Sequence, residues 1–306
     1  MFDNTALPRA VTLTATAATL LLIAACGVTN DNKAAVVGKH PTTAAPMPTL
    51  SPSGMGGMGG MAGGEHHADP GKGLLASEDG YTVQPASTAL KVGAQTIRFT
   101  ITGPDGKPQT SYTEDQTKLL HFYLVRADLT GYIHDHPTLG KDGIWSIRIT
   151  TAWPGAYRMY TDFVAKDPAG KDHPVVLSAS LMAPGLAALA RVSPDPTHTV
   201  DGLTVTMSGT IHAGSASKVT FQVQADGKPV TDLEQYLDSF AHMTALHAGD
   251  LAYEHVHPEL TAKPGQKGGS ALPFTVQLPE KGTWRLFLQV QRAGALHLIP
   301  FTVVVA

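Results

Sequence analysis

The chain has 306 residues, with 22 Lys and Arg against 25 Asp and Glu, a formal charge of −3 and one cysteine. That balance offers no basic face for nucleic acid, and a lone cysteine excludes an intramolecular disulfide framework, a thiolate zinc site and a catalytic thiol in the folded part. What stands out is 14 histidines in a chain with only 15% charged residues.

Residues 11–23 are an apolar run of 13, too short to cross a bilayer as a helix and long enough for a signal-peptide core. The run leads into Ala24-Ala25-Cys26, and small residues before a cysteine at this place resemble the bacterial lipobox. The resemblance implies cleavage before Cys26 and a lipid on its thiol, which makes residues 1–25 a lipoprotein signal peptide. An ordinary secretory peptide with an incidental cysteine is the alternative. Residues 26–74 are rich in Gly, Pro, Ala, Thr and Ser and cannot bury enough surface to offset their ordering entropy, which predicts a disordered tether. Met55, Met58 and Met61 recur there between glycines, and His66 and His67 follow. Thioether is a soft donor suited to Cu(I). These five residues are therefore candidate ligands of a capture arm, with low-complexity drift as the bland alternative.

From Tyr81 onward the pattern changes to short alternating or β-branched runs. They lie at 96–101, 119–126, 144–150, 156–164 and 174–182, then at 203–211, 218–224, 242–246, 272–278, 283–291 and 297–305. Gly, Pro and Asp punctuate them. No long stretch has helical apolar spacing, and only residues 232–240 suggest one short helical turn. Trp145, Trp153 and Trp284 read as core or rim aromatics.

An internal repeat organises these runs. Asp105-Gly106-Lys107-Pro108 recurs as Asp226-Gly227-Lys228-Pro229, and His121, His134 and His136-Pro137 recur as His242, His255 and His257-Pro258, all at an offset of 121. Gly155-Ala156-Tyr157-Arg158 recurs later as Gly282-Thr283-Trp284-Arg285. Two copies of about 110 residues and about seven strands each suit an immunoglobulin-like β-sandwich, with a small barrel as the alternative. The predicted fold is all-β: two tandem immunoglobulin-like β-sandwich modules, residues 75–192 and 193–306, meeting near the polar linker Ser193-Pro194-Asp195-Pro196.

The histidines gain a geometry from that pattern. If residues 127–130 are a four-residue loop, Tyr123 lies opposite His134 and His121 opposite His136. Positions i and i+2 share a face, as do opposite residues. His121, His134 and His136 then converge, and His242, His255 and His257 do the same in the second copy. An odd loop would turn His121 away. His173 and His297, each before the last apolar run of its copy, are candidate fourth members. The second copy has His247 and Glu254 where the first has Arg126 and Ile133, which predicts tighter cation binding there.

Neutral imidazole suits copper, zinc and nickel. The soft tether beside imidazole sites favours a copper ion, Cu(I) or Cu(II), over zinc. The alternative is that these histidines pack or end strands, with Pro closing them.

His121, Asp128-Leu129 and His134-Asp135-His136-Pro137, and again His242, Asp250-Leu251 and His255-Val256-His257-Pro258, resemble a module of secreted bacterial proteins with immunoglobulin-like folds that accompany copper and heavy-metal handling systems. The resemblance implies an extracytoplasmic metal-binding lipoprotein, anchored to the cell membrane through Cys26. Its expected partners are a metal ion and a metal-transport or oxidase protein, and its expected work is sequestration, delivery or tolerance without turnover. A metal-free adhesion or scaffold lipoprotein and a copper enzyme are the competing readings.

Overall fold

In the computed structural model, which describes residues 73–306, the period-two runs become strands. The proposed signal peptide, almost all of the tether, and the candidates Cys26, Met55, Met58, Met61, His66 and His67 lie outside the described residues. The first half holds β1 (Ser77–Glu78), β2 (Tyr81–Pro85), β3 (Gly93–Thr102), β4 (Tyr112–Thr113), β5 (His121–Arg126), β6 (Ile133–Asp135), β7 (Thr138–Leu139), β8 (Ile144–Thr151), β9 (Gly155–Lys166) and β10 (Asp172–Ala183). The second holds β11 (Thr197–Val200), β12 (Leu203–Ser208), β13 (Ser217–Ala225), β14 (Lys228–Pro229), β15 (His242–His247), β16 (Tyr253–Val256), β17 (Ala271–Val276), β18 (Gly282–Arg292) and β19 (Ala295–Val305).

They form four antiparallel sheets, two per half. The first half pairs β1-β2-β3-β8-β7 with β10-β9-β5-β6, and β4 joins β9. The second pairs β11-β12-β13-β14, with β17 on β13, against β16-β15-β18-β19. Each half is an immunoglobulin-like sandwich with its own core. Phe99, Phe122, Trp145 and Phe163 lie in the first core, and Phe221, Phe274, Trp284 and Phe301 in the second. Trp153 is a rim residue, with the Arg126 guanidinium 5.8 Å from its ring.

Residues 232–240 do not form the expected helical turn. Leu233 exchanges backbone hydrogen bonds with Gly268, and the Glu234 N–H donates to Gln291 O at 2.7 Å. Neighbouring chain thus satisfies these backbone groups in extended form, leaving no reason to coil.

A third apolar cluster joins the sandwiches. Tyr123, Val125, Leu129, Tyr132, Tyr160 and Val176 of the first half meet Leu246, Leu251, Tyr253 and Phe287 of the second. The reason is visible in β5, all six residues of which are buried. Phe122 and Leu124 face their own core while Tyr123 and Val125 face outward, too apolar to be left in water. In β15, Met243 and Ala245 face inward and Leu246 outward.

The contacts across this interface come in exchanged pairs. Tyr132 stacks on Phe287 with centroids 3.9 Å apart, and Tyr253 stacks on Tyr160 at 5.2 Å. Tyr132 and Tyr253 are equivalent at the offset of 121, and Tyr160 and Phe287 at 127, the offset of the Gly155 and Gly282 repeats. The two modules therefore use the same patch on each other, as in an isologous dimer with an approximate two-fold axis.

Candidate metal centre

Hairpin geometry sets the histidines first. β5 pairs with β6 in the register Tyr123↔His134, and β15 with β16 in the register Thr244↔His255. The connecting loops keep equal length although Asp-Leu is shifted by one residue. Asp128 Oδ1 accepts the Thr130 N–H at 3.2 Å, and Asp250 Oδ1 accepts the Ala252 N–H at 3.0 Å. Each is a local turn in which an Asp side chain takes the backbone donor two residues on. Leu129 and Leu251 then sit at φ 62 and 65, and both side chains enter the inter-module cluster. The Asp-Leu pair is thus the corner that seats each hairpin on the other module.

The structure does not keep one cluster in each module. His121 and His242 lie on the outward faces of β5 and β15, so when those faces dock the two sets meet. The ring centroids of His134 and His242 are 4.3 Å apart, those of His121 and His255 5.7 Å, and those of His121 and His242 6.0 Å. His136 and His257 stand at the half-exposed rim, 4.9 Å from His121 and 4.6 Å from His255. Six histidines from two modules make one centre.

Ring nitrogens approach as ligands of a shared ion do. His121 Nδ1 is 3.2 Å from both His134 Nε2 and His136 Nε2, and His242 Nε2 is 2.9 Å from His255 Nε2. Two nitrogens on one tetrahedral ion at about 2.0–2.1 Å stand roughly 3.3 Å apart. His121, His134 and His242, all buried, each offer a ligand atom within 4.8 Å of the others, so this group could hold a metal ion.

Three of the outer nitrogens are held by acceptors. His121 Nε2 donates to Asp115 O at 3.1 Å, His134 Nδ1 to Gln289 Oε1 at 2.6 Å and His255 Nδ1 to Asp162 Oδ2 at 3.0 Å. A neutral imidazole carries one N–H, so each such bond turns a lone pair inward. For His134 and His255 the acceptor belongs to the other module. His242 Nδ1 is buried with no hydrogen-bond partner. Tyr123 stacks on His134 with centroids 4.4 Å apart, and its hydroxyl is 3.5 Å from His242 Nε2.

Electrostatics keeps His121, His134, His136 and His242 neutral. Burial, then the neighbouring imidazoles, hold His134 and His242 well below the usual histidine range. Burial and the nearby His255 bring His121 down to about 4, and burial with Lys118 does the same for His136. Burial alone would raise the Asp162 carboxyl, but the hydrogen bond it accepts from His255 carries it below the ordinary value. A set of neutral imidazoles is the protonation state that coordinates metal.

Other expected members lie elsewhere. His173 pairs across β10 with Ala165, which faces the first core, and bonds Asp167 at 3.0 Å. His297 pairs with Val290, which faces the second core, and bonds Asp201 at 3.1 Å. Both are thus on the inner faces of their sheets, opposite to the cluster. Glu254 alternates with Tyr253 and His255 and points away from the centre, and His247 bonds Asp250 at 2.8 Å at the far end of β15. Neither biases one module's cluster. Asp115, Gln116, Tyr123, Asp162 and Gln289 were not foreseen. Asp162 and Gln289 carried a weak signal: each is a polar residue next to large apolar ones in mid-strand, Phe163 and Val164 in β9, Leu288 and Val290 in β18.

A family model described as a domain of unknown function (DUF8832) matches residues 76–176 and 198–306, more than half of the chain. The chain belongs to the DUF8832 family. The first DUF8832 segment contains β5 and β6 and the second contains β15 and β16, so each carries one half of the histidine centre. No protein of curated function matches the chain. Among solved structures, the adhesin InvE of Yersinia pseudotuberculosis is 13% identical over 73% of this chain and 58% of its own, with a TM-score of 0.22. InvD of the same organism is 14% identical over 75% and 58%, with a TM-score of 0.23. The DUF8832 chain thus spans less than two thirds of either length, and its architecture rests on the strand pairings given above.

Proposed function

We propose that this is an extracytoplasmic copper-binding lipoprotein that takes up the ion at the six-histidine centre between its modules and acts in sequestration, delivery or tolerance. The observation that carries the reading is the approach of His121 Nδ1 to His134 Nε2 at 3.2 Å while their outer nitrogens donate to Asp115 O and Gln289, with a ligand atom of buried His242 in the same group. His121 Nδ1 and His134 Nε2 each carry a lone pair because the other nitrogen of each ring donates, and two lone pairs 3.2 Å apart repel unless a cation lies between them. An all-imidazole donor set favours copper over the other divalent first-row ions. The methionine and histidine run Met55, Met58, Met61, His66 and His67 supports a soft ion delivered along the same chain. Residues 11–26 support export and a lipid anchor on Cys26. Binding is stoichiometric, and no reaction is assigned to the centre.

The experiment is metal content and competitive titration with Cu(I), Cu(II) and Zn(II) on the full chain and on two variants, His134→Ala/His136→Ala and His255→Ala/His257→Ala. One shared centre predicts that either double variant loses most of the tight binding, where separate sites would each lose half. No binding above background in the parent chain would make the histidines structural. The adhesion or scaffold reading would then lead.

A further inference from the structure

The turn that closes over the histidines is built against its backbone preference. The Asp115 N–H donates to Lys118 O at 2.8 Å and the Lys118 N–H to Asp115 O at 2.9 Å, so residues 115–118 are a tight hairpin turn. Its central residues, Gln116 and Thr117, have φ 44 and 69. A turn with both central residues left-handed is the province of Asn-Gly or Gly-Gly, because a Cβ is strained there. Neither residue here is Gly or Asn, and Thr117 is β-branched. Strain of this kind persists only where the surroundings over-determine it.

The surroundings are the metal centre. Gln116 is 8% exposed, and its amide nitrogen is 3.1 Å from His255 Nε2 and 3.3 Å from His257 Nδ1. An amide nitrogen can only donate, so it holds two imidazole lone pairs. Asp115 of the same turn takes the His121 Nε2–H. One four-residue turn of the first module thus holds a histidine of its own module and two of the other. The equivalent position in the second module is Leu237, at φ 58 and with no side-chain donor.

We propose that Gln116 is the guard residue of the histidine centre. Its amide occupies lone pairs of His255 and His257 and leaves before those two rings coordinate an ion. The strained turn makes that release easy. This rests on the metal-binding reading above.

The test follows copper(II) uptake by the full chain in stopped flow, through the imidazole-to-copper absorption band, with bound copper measured at equilibrium. Gln116→Ala removes two hydrogen bonds of modest net strength, so uptake quickens about tenfold with the same copper content. Thr117→Gly relieves the strain of the closed turn and keeps the guard, so uptake slows about fivefold, with folding favoured. Wild-type rates in both variants at unchanged copper content would overturn the proposal and make Gln116 a structural contact. Copper bound by neither parent nor variants would remove the metal reading, and the guard with it.

Discussion

His134 donates to Gln289 at 2.6 Å at the place where, across the approximate two-fold axis, His255 donates to Asp162 at 3.0 Å. The equivalent acceptors differ by a full charge, so the two halves of the centre are electronically unequal although their histidines match. A carboxylate raises the basicity of the imidazole it holds more than an amide does. Asp162→Asn is therefore expected to lower copper affinity by about 10–100-fold. Competition titration against a chelator of known affinity checks it, and unchanged affinity would remove Asp162 from the supporting shell.

Gln289→Leu leaves the His134 Nδ1–H buried without an acceptor. A stability loss of about 1–3 kcal/mol is expected. Urea unfolding of the metal-free chain measures it, and a neutral result would mean that His134 finds another acceptor.

Stability should fall in mild acid. His121 and His136 lie at about 4 in the folded chain against 6.5 for a free ring, and burial with the neighbouring imidazoles also holds His134 and His242 well below the free value. Between those values the unfolded chain binds protons that the folded chain refuses. Their contribution is complete above the unfolded value and is lost as the pH falls through the folded one. His121 alone accounts for on the order of 3 kcal/mol across that window. Melting curves of the metal-free chain from pH 7.5 to 4.5 should decline steadily, and a flat profile would contradict the buried, neutral cluster.

Glu254 has the opposite dependence. Burial raises its carboxyl from 4.5 to about 8, so stability is lost as the pH rises through that range. Glu254→Gln should be nearly neutral at pH 4.5 and stabilising by about 2–4 kcal/mol at pH 9. Paired urea titrations at the two values give the comparison, and equal effects at both would place Glu254 in water.

Phe287→Ala removes the ring on which Tyr132 stacks. About 3–5 kcal/mol of stability should go with it, and copper affinity should fall because the two halves of the centre are no longer held in register. Urea unfolding measures the first and a copper titration the second. Intact affinity in a loosened chain would show that one module binds by itself.

Much of this was legible from the residues. The offset of 121 between His121 and His242 carried the duplication, and a four-residue loop carried the hairpin register, because side-chain direction in a strand is a matter of parity. Parity also explains the misses. His173 and His297 lie near the right strands but face their own cores, and Glu254 alternates out of the centre. The merging of the clusters depends on docking of two folded surfaces, which local pattern does not encode. A trace of it was present in the six successive residues from His121 to Arg126, which leave no polar face for solvent.

The isologous contact has a consequence for how such a site can change over time. In two identical chains assembled about the same axis, every substitution would appear twice, so Asp162 and Gln289 would have to be one residue, as would Gln116 and Leu237. Joining the copies in one polypeptide releases that constraint. Each half can then mutate independently, and a symmetric ring of imidazoles can acquire a carboxylate on one side and a guarded face on one side only.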